Sequence, residues 1–426
     1  MSSLVATTPA QERRRPGLSL LLIALFFVVL TVRRPEGLLH PTIWAEDGWL
    51  FLPGAFAPGG HFTEVYGGQV WPLQRLLALI VSQAPATWWP LLLYLISNLV
   101  VALAVGVVLL RRAVTVFGTF WWRAAIAFGL VLMPGVWEVQ GNLANVHWWA
   151  TIGAMVALAL PAPRATAGRA LELALLVVVG ATGMGALLVL PVAIWRIASD
   201  REEDGRGYLW LRSATVGVLA LINVALALQY SNRAGAADVG AVPADMAQFV
   251  VKRVGGTFVF GERGMLRWAA EGPLSGPIQA AALLLLALVL ALILTDLRGP
   301  SWAWAATGLG CILLAIAGTS TANFHSMLTA HSAGRYAVLG IAATVLIVGR
   351  ALATGSGPRR MVAVLALMIM VPGFLFDLAL PLLGAPVERA DLARLQDCLD
   401  GQAPGPAMKY CAVGTAPKGW QMVIWR

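Results

Sequence analysis

Glu46 and Asp47 are adjacent carboxylates in the run His40-Pro41-Thr42-Ile43-Trp44-Ala45-Glu46-Asp47-Gly48-Trp49. The run follows the first apolar stretch of a chain in which only 12% of residues are charged. A carboxylate facing a membrane cleft can deprotonate a hydroxyl nucleophile, and partial desolvation lifts its pKa towards a useful range. Neighbours on extended backbone point opposite ways, so one acid can act as base while the other orients the loop or binds a divalent cation. The competing reading is two solvated acids capping a helix that begins at Trp49. Arg335, in Gly334-Arg335-Tyr336, and Arg75 offer guanidinium forks for a phosphate. Both also fit arginines snorkelling to lipid headgroups, with Tyr336 as an interfacial aromatic. His147 can hydrogen-bond a phosphate or sugar, and Trp148 can stack on a sugar face; the alternative is an aromatic belt with an incidental histidine. Tyr66, Glu138, Asn142, Asn145 and His331 can contact a substrate or only shape loops. His325 and His331 lack metal-cluster spacing, which leaves Glu46 or Asp47 for any metal. Asp377, near the outer end of the last span, is a functional candidate as an intramembrane acid, or is simply exposed at the interface. No Walker loop, His-Glu-x-x-His or Gly-x-Ser-x-Gly motif occurs.

The elements that must position these residues are membrane helices. Hydrophobic residues make up 59% of the chain and mean hydropathy is +0.76. The pattern predicts an all-α, polytopic helical bundle of about eleven membrane segments. They lie near 17–32, 88–110, 120–136, 147–162, 209–229, 276–296, 301–317, 336–352 and 362–383, with a short hairpin over Leu171–Thr182 and Gly185–Trp195. Gln69–Ala84 reads as a helix lying in the interface of the first outer loop. The net charge of +9 is scattered at helix ends, which argues for anionic lipid and against nucleic acid as a partner. Arg13 to Arg15, Arg111, Arg112, Arg350, Arg359 and Arg360 place the N-terminus inside. The outer side then holds 33–87, 230–275, 318–335 and the tail; Arg33, Arg34, Lys252 and Arg253 run against that rule. Residues 1–383 form the membrane domain. Residues 384–426 form a small outer tail in which Cys398 and Cys411 can pair, worth roughly 3 kcal/mol in loop-closure entropy.

The order of motifs resembles the GT-C superfamily of polyprenyl-phosphate-sugar-dependent glycosyltransferases. The matching pieces are Trp44-Ala45-Glu46-Asp47-Gly48, Asn145-Val146-His147-Trp148, Gly183-Met184-Gly185-Ala186-Leu187-Leu188-Val189-Leu190-Pro191, Gly334-Arg335-Tyr336 and Pro417-Lys418-Gly419-Trp420. The resemblance implies sugar transfer from a lipid-linked donor to a glycan, lipid or protein hydroxyl at the outer face of a bacterial inner membrane. It implies a catalytic acid in the first outer loop, Asp47 or Glu46, with Asp47 the favoured base. Arg335, His147 and Arg75 would bind the donor phosphate. Tyr66, Glu138, Asn145, Trp148, His331 and Tyr336 would contact substrate. A divalent cation is the only cofactor considered. Two other classes remain open: a transporter or flippase of lipid-linked glycans, and a structural partner of an envelope complex.

Overall fold

Among the described residues, four helices are long and apolar enough to cross a membrane: Ala86–Leu109, Arg206–Tyr230, Gly276–Leu294 and Gly357–Phe376. They belong to a computed structural model that describes residues 16–57, 61–199, 206–230, 243–269, 276–317, 328, 334–381, 383–401, 410–417 and 419–425. Several other apolar segments form shorter helices, including Pro16–Val32, Val146–Ala159, Gly185–Ser199 and Val338–Thr354. At about 1.5 Å per residue, a helix needs about 20 residues to cross the hydrocarbon layer unaided. The short helices are instead buried among their neighbours. Every residue of Val146–Ala159 is buried, as is most of Val338–Thr354. Trp89–Gly106 packs on the first of these and Ser301–Ala317 on the second. The outer helices present exposed Leu20, Leu221, Leu228 and Leu290. Apolar residues inside and out are what a helix needs when lipid replaces water.

The segment predicted over 120–136 is a bent pair, Arg111–Phe117 and Phe120–Leu132, meeting at 83°. Gly118 sits at the bend with φ +71°, a conformation that favours glycine. The predicted hairpin forms with longer limbs, Thr166–Ala181 and Gly185–Ser199. Its tip reaches the first loop, where Gly183 N–H donates to the Val70 carbonyl at 3.0 Å.

Two buried acids gather the arginines at the end of the bundle away from that tip. Glu172 pairs with Arg112 and with Arg212 (2.8 Å). Asp296 takes Arg350 (2.9 Å), Arg359 (3.2 Å) and the Ser301 hydroxyl. Such pairing is what allows charge in an apolar interior.

The tail is not wholly helical. Helix Arg389–Leu399 leads to an antiparallel hairpin, Tyr410–Thr415 with Trp420–Trp425, and Cys398 is disulfide-bonded to Cys411. The hairpin joins the first loop through backbone bonds from Ala45 N–H to the Ala416 carbonyl (2.5 Å) and Ala416 N–H to the Ile43 carbonyl (2.8 Å).

Candidate functional site

Residues 133–145 form a loop that is almost entirely buried. A buried loop must find partners for its backbone, and here side chains supply them. Arg34 donates to the Trp137 and Gln140 carbonyls, both at 2.5 Å. Arg33 donates to the carbonyls of Val131 (2.7 Å) and Met133 (3.3 Å), and to Asp377 O at 2.7 Å. These arginines are internal clamps on the loop rather than headgroup contacts. Asp377 is fully buried and accepts N–H bonds from Gly135 (2.9 Å), Glu262 (2.9 Å) and Arg263 (3.1 Å). Its carboxylate is occupied in joining three segments, so simple exposure at an interface does not describe it.

Asp47 belongs to the same scaffold. It is 1% exposed and accepts N–H bonds from Leu143 (3.0 Å) and Ala144 (2.6 Å). The solvated helix cap considered for it does not form: the carboxylate ties the first loop to the loop that precedes helix Val146–Ala159. Burial pushes its carboxyl up to about 8, with the two N–H donors opposing and Glu46 adding to the rise. The backbone here is not extended, because Asp47–Phe51 is a single π-helical turn. The two acids nonetheless diverge. Glu46 is part-exposed, with Arg335 Nη1 3.9 Å from its carboxylate.

Arg335 is the centre of the cluster. Its Nη1 lies 3.1 Å from Glu138 Oε1, and its backbone N–H donates to Glu138 Oε2 at 3.2 Å. Its guanidinium lies 5.3 Å from the centre of the Tyr336 ring. Burial opposes the charge of Arg335, but Glu138, Tyr336 and Glu46 outweigh it and hold the group above its usual range. Burial pushes the Glu138 carboxyl up, and Arg335 opposes that rise. Tyr66 is raised chiefly by burial, with Glu46 adding to the rise and Arg335 opposing it; its ring packs at 5.3 Å on Trp49, on the turn that Glu46 caps. A part-exposed cation between two carboxylates can accept a phosphate in place of the looser one.

An aromatic row backs the cluster. Tyr336 meets Trp148 edge-on (6.0 Å), Trp148 meets His147 (4.5 Å), and His147 meets Trp71 (5.0 Å). Trp148 is 8% exposed and offers no open face for stacking. His147 Nδ1 lies 3.0 Å from both Gln74 Nε2 and the Ala144 carbonyl. The Asn145 amide donates to Glu138 O (3.1 Å) and Asn142 Oδ1 (3.0 Å), shaping the loop. Arg75 is buried and pairs with Glu64 at 3.1 Å, while its Nε and Nη1 have no partner. His325, His331 and Lys418 lie outside the described residues. Among the described residues, no group of three or more His, Cys, Asp or Glu could hold a metal ion.

Glu262 and Gln74 were not named from the sequence, and Arg253 was named only as a charge against the positive-inside rule. Arg253 pairs with Glu262 at 3.2 Å directly behind Gly334. A Cβ at Gly334 would stand 2.9 Å from Arg253 Nη2, so a larger residue there would push on the Arg253 guanidinium. Arg253 lies in a second π-helical segment, Val250–Gly256. Such segments are frequent at functional sites, and here Asp47 and Arg253 each come from one. The basic pair Lys252-Arg253 and the acid Glu262, in a charge-poor chain, were the available signals.

Comparison with known proteins adds no relative: no family model, no curated protein and no solved structure matches the chain.

Proposed function

We propose that the chain is a membrane glycosyltransferase of GT-C type. It would move a sugar from a polyprenyl-phosphate donor to a hydroxyl acceptor at the outer face of a bacterial inner membrane. The observation that carries this reading is the meeting of Glu46, Glu138, Arg335, Tyr336 and Tyr66, from four separate segments, at one part-exposed site. The full set of about eleven segments, the cytoplasmic N-terminus and the outer tail belong to the same proposal. So does an interfacial setting for helix Pro72–Ser82, whose exposed side chains include Leu76 and Ile80 while Gln74 and Arg75 turn inward.

Arg335 binds the donor phosphate and stabilises the charge that develops on it as the glycosidic bond breaks. Glu138 fixes the guanidinium from below. Phosphate binding displaces Glu46 from its 3.9 Å contact, which leaves that carboxylate free to take the acceptor proton. Glu46 is therefore preferred to Asp47 as base, because the Asp47 oxygens are engaged by two backbone N–H groups. Both positions remain within one turn of the same loop, as the family resemblance implies.

The test uses the full chain in vesicles with a synthetic polyprenyl-phosphate sugar and a hydroxyl acceptor. A new glycosidic bond, lost in Arg335→Ala, supports transfer. Movement of the lipid-linked sugar across the bilayer with no new bond would favour a flippase instead.

A further inference from the structure

Two aromatic side chains outside the Arg335 cluster, Trp49 and Trp420, are joined to it through Tyr66. Trp49, on the π-helical turn that follows Glu46, is 47% exposed, and Trp420, on the second tail strand, is 39% exposed. Their rings are 6.1 Å apart at 87°, so they make an open corner. Tyr66 closes the other side, 5.3 Å from Trp49. Isolated exposed aromatics are ordinary on any surface. Two of them packed on a third, Tyr66 and Trp420 on Trp49, from segments more than 350 positions apart in the chain at the extremes (49 to 420), are not a chance of local sequence.

The corner is also held. Strand Trp420–Trp425 packs on the turn Asp47–Phe51. A Cβ at Gly48 would collide with the Thr415 side chain. The Ala45–Ala416 and Ile43–Ala416 backbone bonds fix the hairpin to the acidic loop, and the Cys398–Cys411 disulfide ties the hairpin to its own helix.

We infer that Trp49, Tyr66 and Trp420 form the subsite that binds a pyranose ring of the acceptor, with the tail hairpin supplying one wall. The inference rests on the transfer reading for its placement beside the base. A pyranose presents axial C–H bonds on one face and hydroxyls around its edge. The electron-rich aromatic face attracts such C–H groups. Trp49 stands on the helical turn that Glu46 caps, and Tyr66 packs on Trp49, so a ring seated in the corner has Glu46 on the adjoining turn, within reach of a rim hydroxyl. A lipid-facing belt would distribute its aromatics around the bundle; these three instead gather around Trp49.

The experiment is saturation-transfer NMR on the full chain in nanodiscs, with methyl glucoside, methyl galactoside and methyl mannoside as probes. At least one is expected to show contact through its C–H face, with affinity falling about tenfold in Trp420→Ala and largely kept in Trp420→Tyr. In the transfer assay, Trp420→Ala should raise acceptor KM while donor KM stays put. Absence of contact with all three sugars, or equal contact in Trp420→Ala, would overturn the subsite and leave the transfer reading standing. Loss of transfer with sugar contact intact would do the reverse. A third arm uses brominated phosphatidylcholine: quenching that disappears in Trp420→Phe would show the ring in lipid, and the subsite would fall.

Discussion

Replacing Asp47 with alanine tests the division of labour between the two adjacent acids. The change removes the acceptor for the Leu143 and Ala144 N–H groups, at 3.0 and 2.6 Å. Each buried donor left unpaired costs about 1–3 kcal/mol, so the variant should lose about 2–6 kcal/mol. With an unfolding entropy of about 2 cal/mol/K per residue, that is a fall of a few degrees in melting temperature for a chain this long. Asp47→Asn keeps one carbonyl acceptor and should lose about half as much. The wild type carries a pH signature as well. Burial raises the Asp47 carboxyl from 3.8 to about 8, so the folded state favours the protonated form. That contribution is fully present below about pH 4 and is lost as pH rises through about 8. Asp47→Asn should be flatter across this window. The assay is thermal unfolding of the full chain in detergent, followed by near-ultraviolet circular dichroism at several pH values. An Asp47→Ala protein that melts like the wild type, yet has lost transfer, would refute the scaffold role and return the base to Asp47.

Glu172→Ala strands Arg112 and Arg212 in the apolar end of the bundle; a loss of about 3–5 kcal/mol is expected, read as lower thermal stability and yield. Cys398→Ser opens the tail loop and should loosen the hairpin by about 3 kcal/mol, seen as faster proteolysis beyond residue 398 with the helical bundle intact. Arg335→Lys keeps the charge and loses the fork, so donor KM should rise clearly while thermal stability changes little.

The helical, membrane-type character of the chain was legible from composition and apolar runs, because helices packed in an apolar interior and helices able to cross a membrane are both rich in apolar residues. The members of the charged cluster were legible too: Glu46, Glu138 and Arg335 stand out in a chain with so few charges. Their assembly was not. Glu138 and Arg335 are 197 positions apart, and nothing in either local sequence names the other. The role of Asp47 was hidden for a different reason. Its partners are backbone N–H groups, which leave no trace in residue type. Arg33 and Arg34 were read as loop charges for the same reason, since carbonyl oxygens satisfy them. The tail hairpin shows an alternating burial pattern over Tyr410–Thr415, but six residues beside a cysteine pair read equally well as an irregular tail.

The central claim is that Glu46 takes the acceptor proton beside an Arg335-bound phosphate. The most direct measurement is the transfer rate of Glu46→Gln in vesicles, with donor and acceptor saturating and folding checked by melting temperature. The account predicts a fall of about 10²–10⁴-fold with the melting temperature unchanged, and a smaller loss for Asp47→Asn once its stability deficit is offset at low temperature. A Glu46→Gln protein that transfers sugar at the wild-type rate would contradict it.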